Sequence, residues 1–135
     1  MLENDIGEIV VSTAIELHRA PGPGLLESVY EVLLAHELRK QGLHAARQVS
    51  VPIEYGGHKF EEGFRADILI EGKVIVELKC VERLNNAHRK QLLTYLRLMD
   101  IKLGYLLNFS AELMTNGIVR TVNGLSESAP PCAAD

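Results

Sequence analysis

The spacing of apolar residues predicts two helices at the start of the chain. The first helix presents one apolar face, formed by Ile6, Val10, Thr13 and Leu17. Asp5 and Glu8 resemble a capping box at its start, and residues 20–24, with two prolines and two glycines, end it. A second helix is predicted over residues 26–41, because Gly42 stands where a left-handed residue ends many helices.

Alternation of apolar and polar residues then predicts three strands. They cover residues 48–55, 60–70 and 74–81. Short glycine-containing turns join them at residues 56–57 and 71–72. These three strands therefore form an antiparallel meander.

The second half of the chain predicts one more helix and two strands. The helix runs from Asn86 to Met99 and buries a stripe of Leu92, Leu96 and Met99. Strands follow at residues 102–109 and 117–122, and the helix before them makes the third and fourth strands a parallel, right-handed crossover. The predicted fold is α/β (α+β), with helices flanking a mixed sheet of four to five strands in the order ααβββαββ.

The turn between the second and third strands decides whether Asp67 and Glu77 share a face of the sheet. With a two-residue turn, Asp67 would lie opposite Val76 and Glu77 would point to the other side. An odd number of turn residues brings the two carboxylates together. We therefore predict a three-residue turn, Ile70-Glu71-Gly72, with glycine in the left-handed third position.

Length and composition set the broad class of protein. The chain has 135 residues, of which 47% are hydrophobic, so residues 1–125 are expected to form one domain and the polar residues 126–135 a disordered tail. Neither a membrane span nor a secretory signal is apparent. Two cysteines, Cys80 and Cys132, match no zinc motif and fit the reducing cytoplasm. Cys80 is expected to be a core strand residue; the alternative is a thiol whose pKa the adjacent Lys79 lowers.

Charge is unevenly distributed along the chain. The net charge of −4 argues against a protein that coats nucleic acid. Residues 83–102 nevertheless carry five cations against one anion, a local charge of +4 that leaves −8 elsewhere. Arg89, Lys90 and Arg97 of this segment are candidates to bind nucleic acid phosphates; the alternative is a solvated helix face.

Asp67, Glu77 and Lys79 are the strongest candidates for chemistry. The two carboxylates, with the carbonyl of Leu78, would hold Mg²⁺ or Mn²⁺ through oxygen ligands. Lys79 projects to the same side as Glu77 and would orient a water or neutralise charge on a phosphate. The alternative is a hairpin whose charged side chains pair across strands without any catalytic role. The five histidines are scattered along the chain. His18, His36 and His44 show no ligand spacing and are expected at the surface or at element edges, rather than as metal ligands.

A motif in the second predicted helix separates these alternatives. Gly24, Glu27 and Tyr30 read G-x-x-E-x-x-Y, which places the last two on one helical face. Together with the segments FRADILI, VIVELK and QLLTY, this pattern resembles the GxxExxY proteins, a bacterial family of the PD-(D/E)xK nuclease-like superfamily. The one departure is Ala66 where the superfamily has proline, and proline there only shapes the strand.

The resemblance implies a restriction-endonuclease-like core and assigns roles residue by residue. Asp67, Glu77 and Lys79 match the superfamily motif, and Glu27 resembles the acidic residue that many members contribute from the helix before the sheet. Gln91 and Tyr95 resemble a Q-x-x-x-Y pair that helps to position the site or the nucleic acid.

The function expected from the resemblance is Mg²⁺-dependent hydrolysis of nucleic acid, with DNA favoured over RNA. The alternative is a non-catalytic interaction or regulatory module that keeps the fold, since fold does not settle function. A homo-oligomer is a further expectation, because a chain of this size covers little DNA.

Overall fold

One mixed, five-stranded sheet organises the chain in the computed structural model, which describes residues 1–126. The helices are α1 (Glu3–Arg19), α2 (Glu27–Lys40) and α3 (Asn86–Met99), and a 3₁₀ turn covers Met114–Asn116. The strands are β1 (Ala45–Tyr55), β2 (His58–Ile70), β3 (Val74–Lys79), β4 (Leu103–Asn108) and β5 (Ile118–Val122). This order confirms the predicted ααβββαββ arrangement.

The strands lie side by side in chain order, from β1 to β5. All neighbours are antiparallel except β3 and β4, which are parallel and are joined through α3. This confirms that the predicted crossover joins parallel strands. Two parallel strands cannot be joined by a tight turn, because the chain must return along the sheet before the second strand begins. Helix α3 makes this return connection between β3 and β4.

Helices cover both faces of the sheet. Helices α1 and α2 pack on one face, where the larger cluster of buried side chains includes Ile6, Leu34 and Ile68. On the other face α3 buries Leu92 and Leu96 against β3 and β4. Met99, the third predicted member of this stripe, is only half-buried.

The start of α1 differs from its prediction. The helix begins two residues before Asp5, with Leu2 as the residue that precedes its first turn. The Asp5 carboxylate accepts the backbone N–H of Leu2 at 3.2 Å. Asp5 therefore caps the helix from its third residue. The prediction instead makes Asp5 the first residue of a capping box with Glu8.

His18 is predicted to lie at the surface or at an element edge; it lies in the last turn of α1 but is buried, so the surface alternative is wrong. It is 6% exposed, and its Nε2 lies 2.8 Å from the carbonyl oxygen of Ala111. Its ring lies 6.3 Å from that of Phe109, measured between centroids. His18 therefore ties α1 to the segment after β4, while His36 and His44 are exposed as predicted.

Two expectations concern the chain as a whole. Of the predicted disordered tail, residues 126–135, all but Ser126 lie outside the described residues. Among residues 1–126, no helix has the length and apolar character needed to cross a membrane.

Candidate active site

The turn between β2 and β3 has the odd number of residues that the site requires. Ile70 pairs with Val74, so residues 71–73 form the turn and the predicted parity is confirmed. The turn is shifted by one residue from its prediction. Glu71 and Gly72 are both left-handed, with φ of 55° and 63°, so glycine stands second rather than third.

Asp67 and Glu77 consequently meet at the end of the β2–β3 ladder, one residue beyond the pair Ile68–Val76. The backbone N–H of Asp67 donates to Glu77 Oε2 at 3.0 Å. In the reverse direction, the N–H of Leu78 donates to Asp67 Oδ2 at 2.9 Å. Each carboxylate thus replaces a backbone carbonyl as acceptor, and these reciprocal bonds fix both side chains.

Both carboxylates are held in an environment that opposes their ionisation. Burial, followed by the charge of Asp67, raises the pKa of Glu77 from 4.5 to about 8. Burial also raises the pKa of Asp67, although its bond from Leu78 acts in the opposite direction. The ammonium of Lys79 lowers the pKa of both groups. A bound cation would relieve the repulsion between the two carboxylates.

The backbone carbonyl of Leu78 points toward the same site. In a strand, the N–H and C=O of one residue project to the same side. The N–H of Leu78 bonds the Asp67 carboxylate, whereas the carbonyl of Lys79 accepts from Phe109 N–H in the opposite direction, at 2.9 Å. The carbonyl of Leu78 is therefore directed toward Asp67.

Glu31 is a site residue that sequence reasoning missed. It is 5% exposed and lies on the buried face of α2 with Leu34, Ala35 and Leu38. Its charge raises the pKa of Asp67 more than that of Glu27 does, and it also acts on Glu77. The available signal was a carboxylate at a position where the helical period requires an apolar residue. Glu27 itself is the exposed first residue of α2.

Tyr30 supports the loop before α2 and does not enter the site. Its buried hydroxyl donates to the carbonyl of Gly22 at 2.5 Å and accepts the N–H of Leu25 at 3.2 Å. Its ring stacks on Phe109 with centroids 4.4 Å apart. Gly24 lies within the same loop with φ of 111°, a conformation that larger residues avoid. Two of the three motif residues thus shape the approach to Glu27.

Removing the Tyr30 hydroxyl tests this supporting role. Tyr30→Phe should lower the free energy of unfolding by about 1 kcal/mol, because two partly exposed backbone groups of the loop lose their hydrogen-bond partner. Urea denaturation measures the change, and Tyr55→Phe, at a side chain that is 83% exposed, is the control. Equal stabilities for the two variants would contradict the role.

Gln91 and Tyr95 lie together on α3, as their spacing predicts. Burial raises the pKa of Tyr95, and the charges of Glu77 and Asp67 raise it further. The Gln91 side chain acts to lower the pKa of the Tyr95 hydroxyl. The Tyr95 ring stacks on Phe64 of β2, with centroids 3.8 Å apart. The hydroxyl of Tyr95 is therefore close enough to sense both carboxylates.

The predicted phosphate-binding cations lie on the outer side of α3. Arg89 and Lys90 are exposed and line a shallow groove with Val119 and Thr121 of β5. Arg97 is exposed in the last turn of α3. The two groove residues thus face β5, on the side of α3 away from β2.

Cys80 follows Lys79 at the end of β3 and is half-buried. Burial raises the pKa of its thiol, and a hydrogen bond with Ser110 opposes this only in part. The alternative of a thiol pKa lowered by Lys79 is wrong, because desolvation is the larger effect.

Comparison with known proteins identifies the superfamily of this chain. The sequence model of the PD-(D/E)XK nuclease superfamily matches residues 4–121. The chain belongs to the PD-(D/E)XK nuclease superfamily. The fold is also similar to the crystal structure of SSO0001, with a TM-score of 0.55 and 17% identity over 91% of this chain and 80% of that chain. A search of curated proteins found no match.

PD-(D/E)XK nucleases usually use divalent metals, and the donor set here fits a hard cation. Asp67 and Glu77 each use one oxygen for a backbone N–H, which leaves one oxygen of each carboxylate for a cation. Strand geometry directs the carbonyl of Leu78 to the side of β3 on which its N–H bonds Asp67. Mg²⁺ is usually held by one or two carboxylates and keeps several waters. Within residues 1–126, no three His, Cys, Asp or Glu side chains form a group that could hold a metal ion. A cation would thus rely on water for part of its coordination.

Proposed function

We propose that this protein is a small Mg²⁺-dependent nuclease of the GxxExxY family, which hydrolyses phosphodiester bonds in DNA in preference to RNA. The observation that carries the proposal is the reciprocal bonding of Asp67 and Glu77, which holds a half-buried and a buried carboxylate together at the end of β2 and β3. A protein that needed only a stable hairpin would gain nothing from this repulsive pair.

The residues at the site divide the work of hydrolysis. Mg²⁺ or Mn²⁺, when bound, would act as a Lewis acid that polarises the scissile phosphate. Asp67 and Glu77 would hold it with the carbonyl of Leu78, and Glu27 would add negative charge from the start of α2. Lys79 would neutralise charge that builds on the phosphoryl oxygens or orient the attacking water. Gln91 and Tyr95 position the site from α3.

The assignment to the GxxExxY family is supported by the different structural roles of the three motif residues. Gly24 takes the left-handed conformation, Tyr30 fixes the loop, and Glu27 begins the helix, from where its charge raises the pKa of Asp67. A motif in which each residue has a different physical task is unlike a chance match in a surface helix.

Exposed cations on α3 supply the affinity for nucleic acid in this proposal. Arg89, Lys90 and Arg97 neutralise phosphates without reading sequence, so binding should weaken steeply with salt. A homo-oligomer would extend this surface to a second strand, and sedimentation velocity tests that arrangement. The cytoplasm, where thiols stay reduced, is the proposed location, and residues 1–125 are the proposed domain.

Titration with Mn²⁺ and incubation with nucleic acid test the proposal. Asp67→Ala and Glu77→Ala should each weaken Mn²⁺ binding by at least ~10-fold and abolish cleavage of single- and double-stranded DNA. Calorimetry and gel analysis of the products measure the two effects. Glu54→Ala is the control, because this exposed carboxylate lies in the same sheet on β1.

The outcomes separate the functions. Metal-dependent cleavage that Glu77→Ala removes would support the nuclease, and parallel RNA substrates decide its preference. A wild-type protein that neither binds Mn²⁺ nor cleaves any nucleic acid would overturn the proposal in favour of the non-catalytic module.

A further inference from the structure

Glu31 is held by two neighbouring residues of β1. Arg47 Nε donates to Glu31 Oε2 at 3.0 Å, and Gln48 Nε2 lies 2.9 Å from both carboxylate oxygens. A carboxylate that is 5% exposed requires such partners, because burying an unpaired charge is strongly unfavourable. Both oxygens of Glu31 are thereby fixed.

This arrangement is impossible in a regular strand. Successive strand residues project to opposite faces, so Arg47 and Gln48 should not reach one carboxylate. The structure resolves the conflict at Gln48, which is left-handed with φ of 53°. Glutamine rarely adopts this conformation, since its Cβ approaches the following carbonyl oxygen. An unfavourable backbone is thus retained where it lets two adjacent side chains converge.

The irregular residue stands opposite Asp67. The β1–β2 ladder contains the pairs Arg47–Ile68 and Val49–Ala66, and the position between them, Gln48 opposite Asp67, is left out. Asp67 is consequently not paired with β1 and directs its N–H and carboxylate to β3 instead. The left-handed backbone of Gln48 and the reciprocal hydrogen bonds of Asp67 therefore belong to the same local departure from regular strand pairing.

We propose that Gln48 and Arg47 are positioning residues, which hold the Glu31 carboxylate beside Asp67 and so fix the acidic wall of the cation site. This role rests on the proposed function. Its supporting observation is geometric: Gln48, which bonds both oxygens of Glu31, stands opposite Asp67 at the interrupted position of the β1–β2 ladder. The competing explanation is a purely structural tie between α2 and β1, which would affect stability but not the site.

Gln48→Asn separates the two explanations. Asparagine tolerates the left-handed conformation but is one methylene too short to reach Glu31. Calorimetric titration with MnCl₂ should show affinity about 10-fold weaker than wild type, the effect typical of losing a residue that orients a metal site. Gln41→Asn is the matched control, because Gln41 donates to Thr13 at 2.8 Å between α1 and α2. The control should bind Mn²⁺ as the wild type does.

A double-mutant cycle shows whether Gln48 acts through Glu31. In a Glu31→Ala background, Gln48→Asn should cause no further loss of Mn²⁺ affinity, because its partner is already gone. Fully additive losses would overturn the proposal. So would wild-type affinity in Gln48→Asn.

A measurement on the metal-free protein tests the positioning role independently of the proposed nuclease function. The NMR amide signals of Asp67 and Leu78 report the reciprocal bonds directly. Both should shift in Gln48→Asn and in Glu31→Ala and stay in place in Gln41→Asn. Shifted signals in a protein that binds no Mn²⁺ would support the positioning role while the nuclease proposal fails. Unmoved signals would overturn the role even in an active nuclease.

Discussion

Lys79→Ala should reduce cleavage by ~10²- to 10³-fold while Mn²⁺ binding stays at least as tight as in the wild type. The lysine supplies a positive charge beside the reacting phosphate, a contribution that is felt as negative charge develops in the transition state. It is not an oxygen ligand, and its ammonium repels a cation. Metal affinity and rate therefore respond in different ways to its removal.

Single-turnover cleavage with saturating protein and Mn²⁺ isolates this effect from substrate binding. Lys73→Ala is the matched control, because Lys73 belongs to the same hairpin at its opposite end and bonds the carbonyl of Met1 at 2.7 Å. A Lys79→Ala protein with the wild-type rate would exclude Lys79 from the chemistry. Equal losses in both variants would point instead to general damage of the hairpin.

The relation between Asp67 and Glu77 could be predicted because it depends on counting. Side chains in strands alternate with a period of two, so the parity of the turn decides whether these residues share a face. The exact turn could not be deduced in the same way. Ile70 pairs with Val74 and so belongs to the ladder. Glu71 adopts a left-handed conformation, which could not be predicted from its residue type.

The surroundings of Glu31 show where sequence reasoning stops. Its partners lie 16 and 17 residues away on a different element, and no local period connects them. Gln48 fits the alternation of β1 by residue type, although its backbone departs from a strand. Such a departure is imposed by a tertiary contact, which overrides local preference.

The hydrogen-bond partners of two buried residues also could not be predicted from the sequence pattern. His18 reaches a carbonyl beyond β4, and Tyr30 bonds back to its own preceding loop. Both side chains carry an apolar ring with a polar group, so they can be buried once a single partner is found. The identity of that partner is a property of the fold.

The stability of the metal-free protein should fall as the pH rises from about 5 to about 8. Burial and the charge of Asp67 raise the pKa of folded Glu77 from 4.5 to about 8. Between these values the folded protein retains a proton that the unfolded chain has released, so raising the pH favours unfolding. The slope from this one group is about 1.4 kcal/mol per pH unit. The contribution is fully present below pH 4.5 and is lost above about pH 8.

Glu77→Gln isolates this contribution in urea unfolding at a series of pH values. Its amide oxygen can still accept the N–H of Asp67, but the side chain no longer ionises, so the variant should lose most of the slope and exceed the wild type in stability near pH 8. Glu54→Gln, at an exposed carboxylate, should keep the wild-type slope. Saturating Mn²⁺ should flatten the wild-type curve, because the cation binds the ionised pair in the folded state only. Parallel curves for wild type and Glu77→Gln would contradict a shared, repulsive carboxylate site.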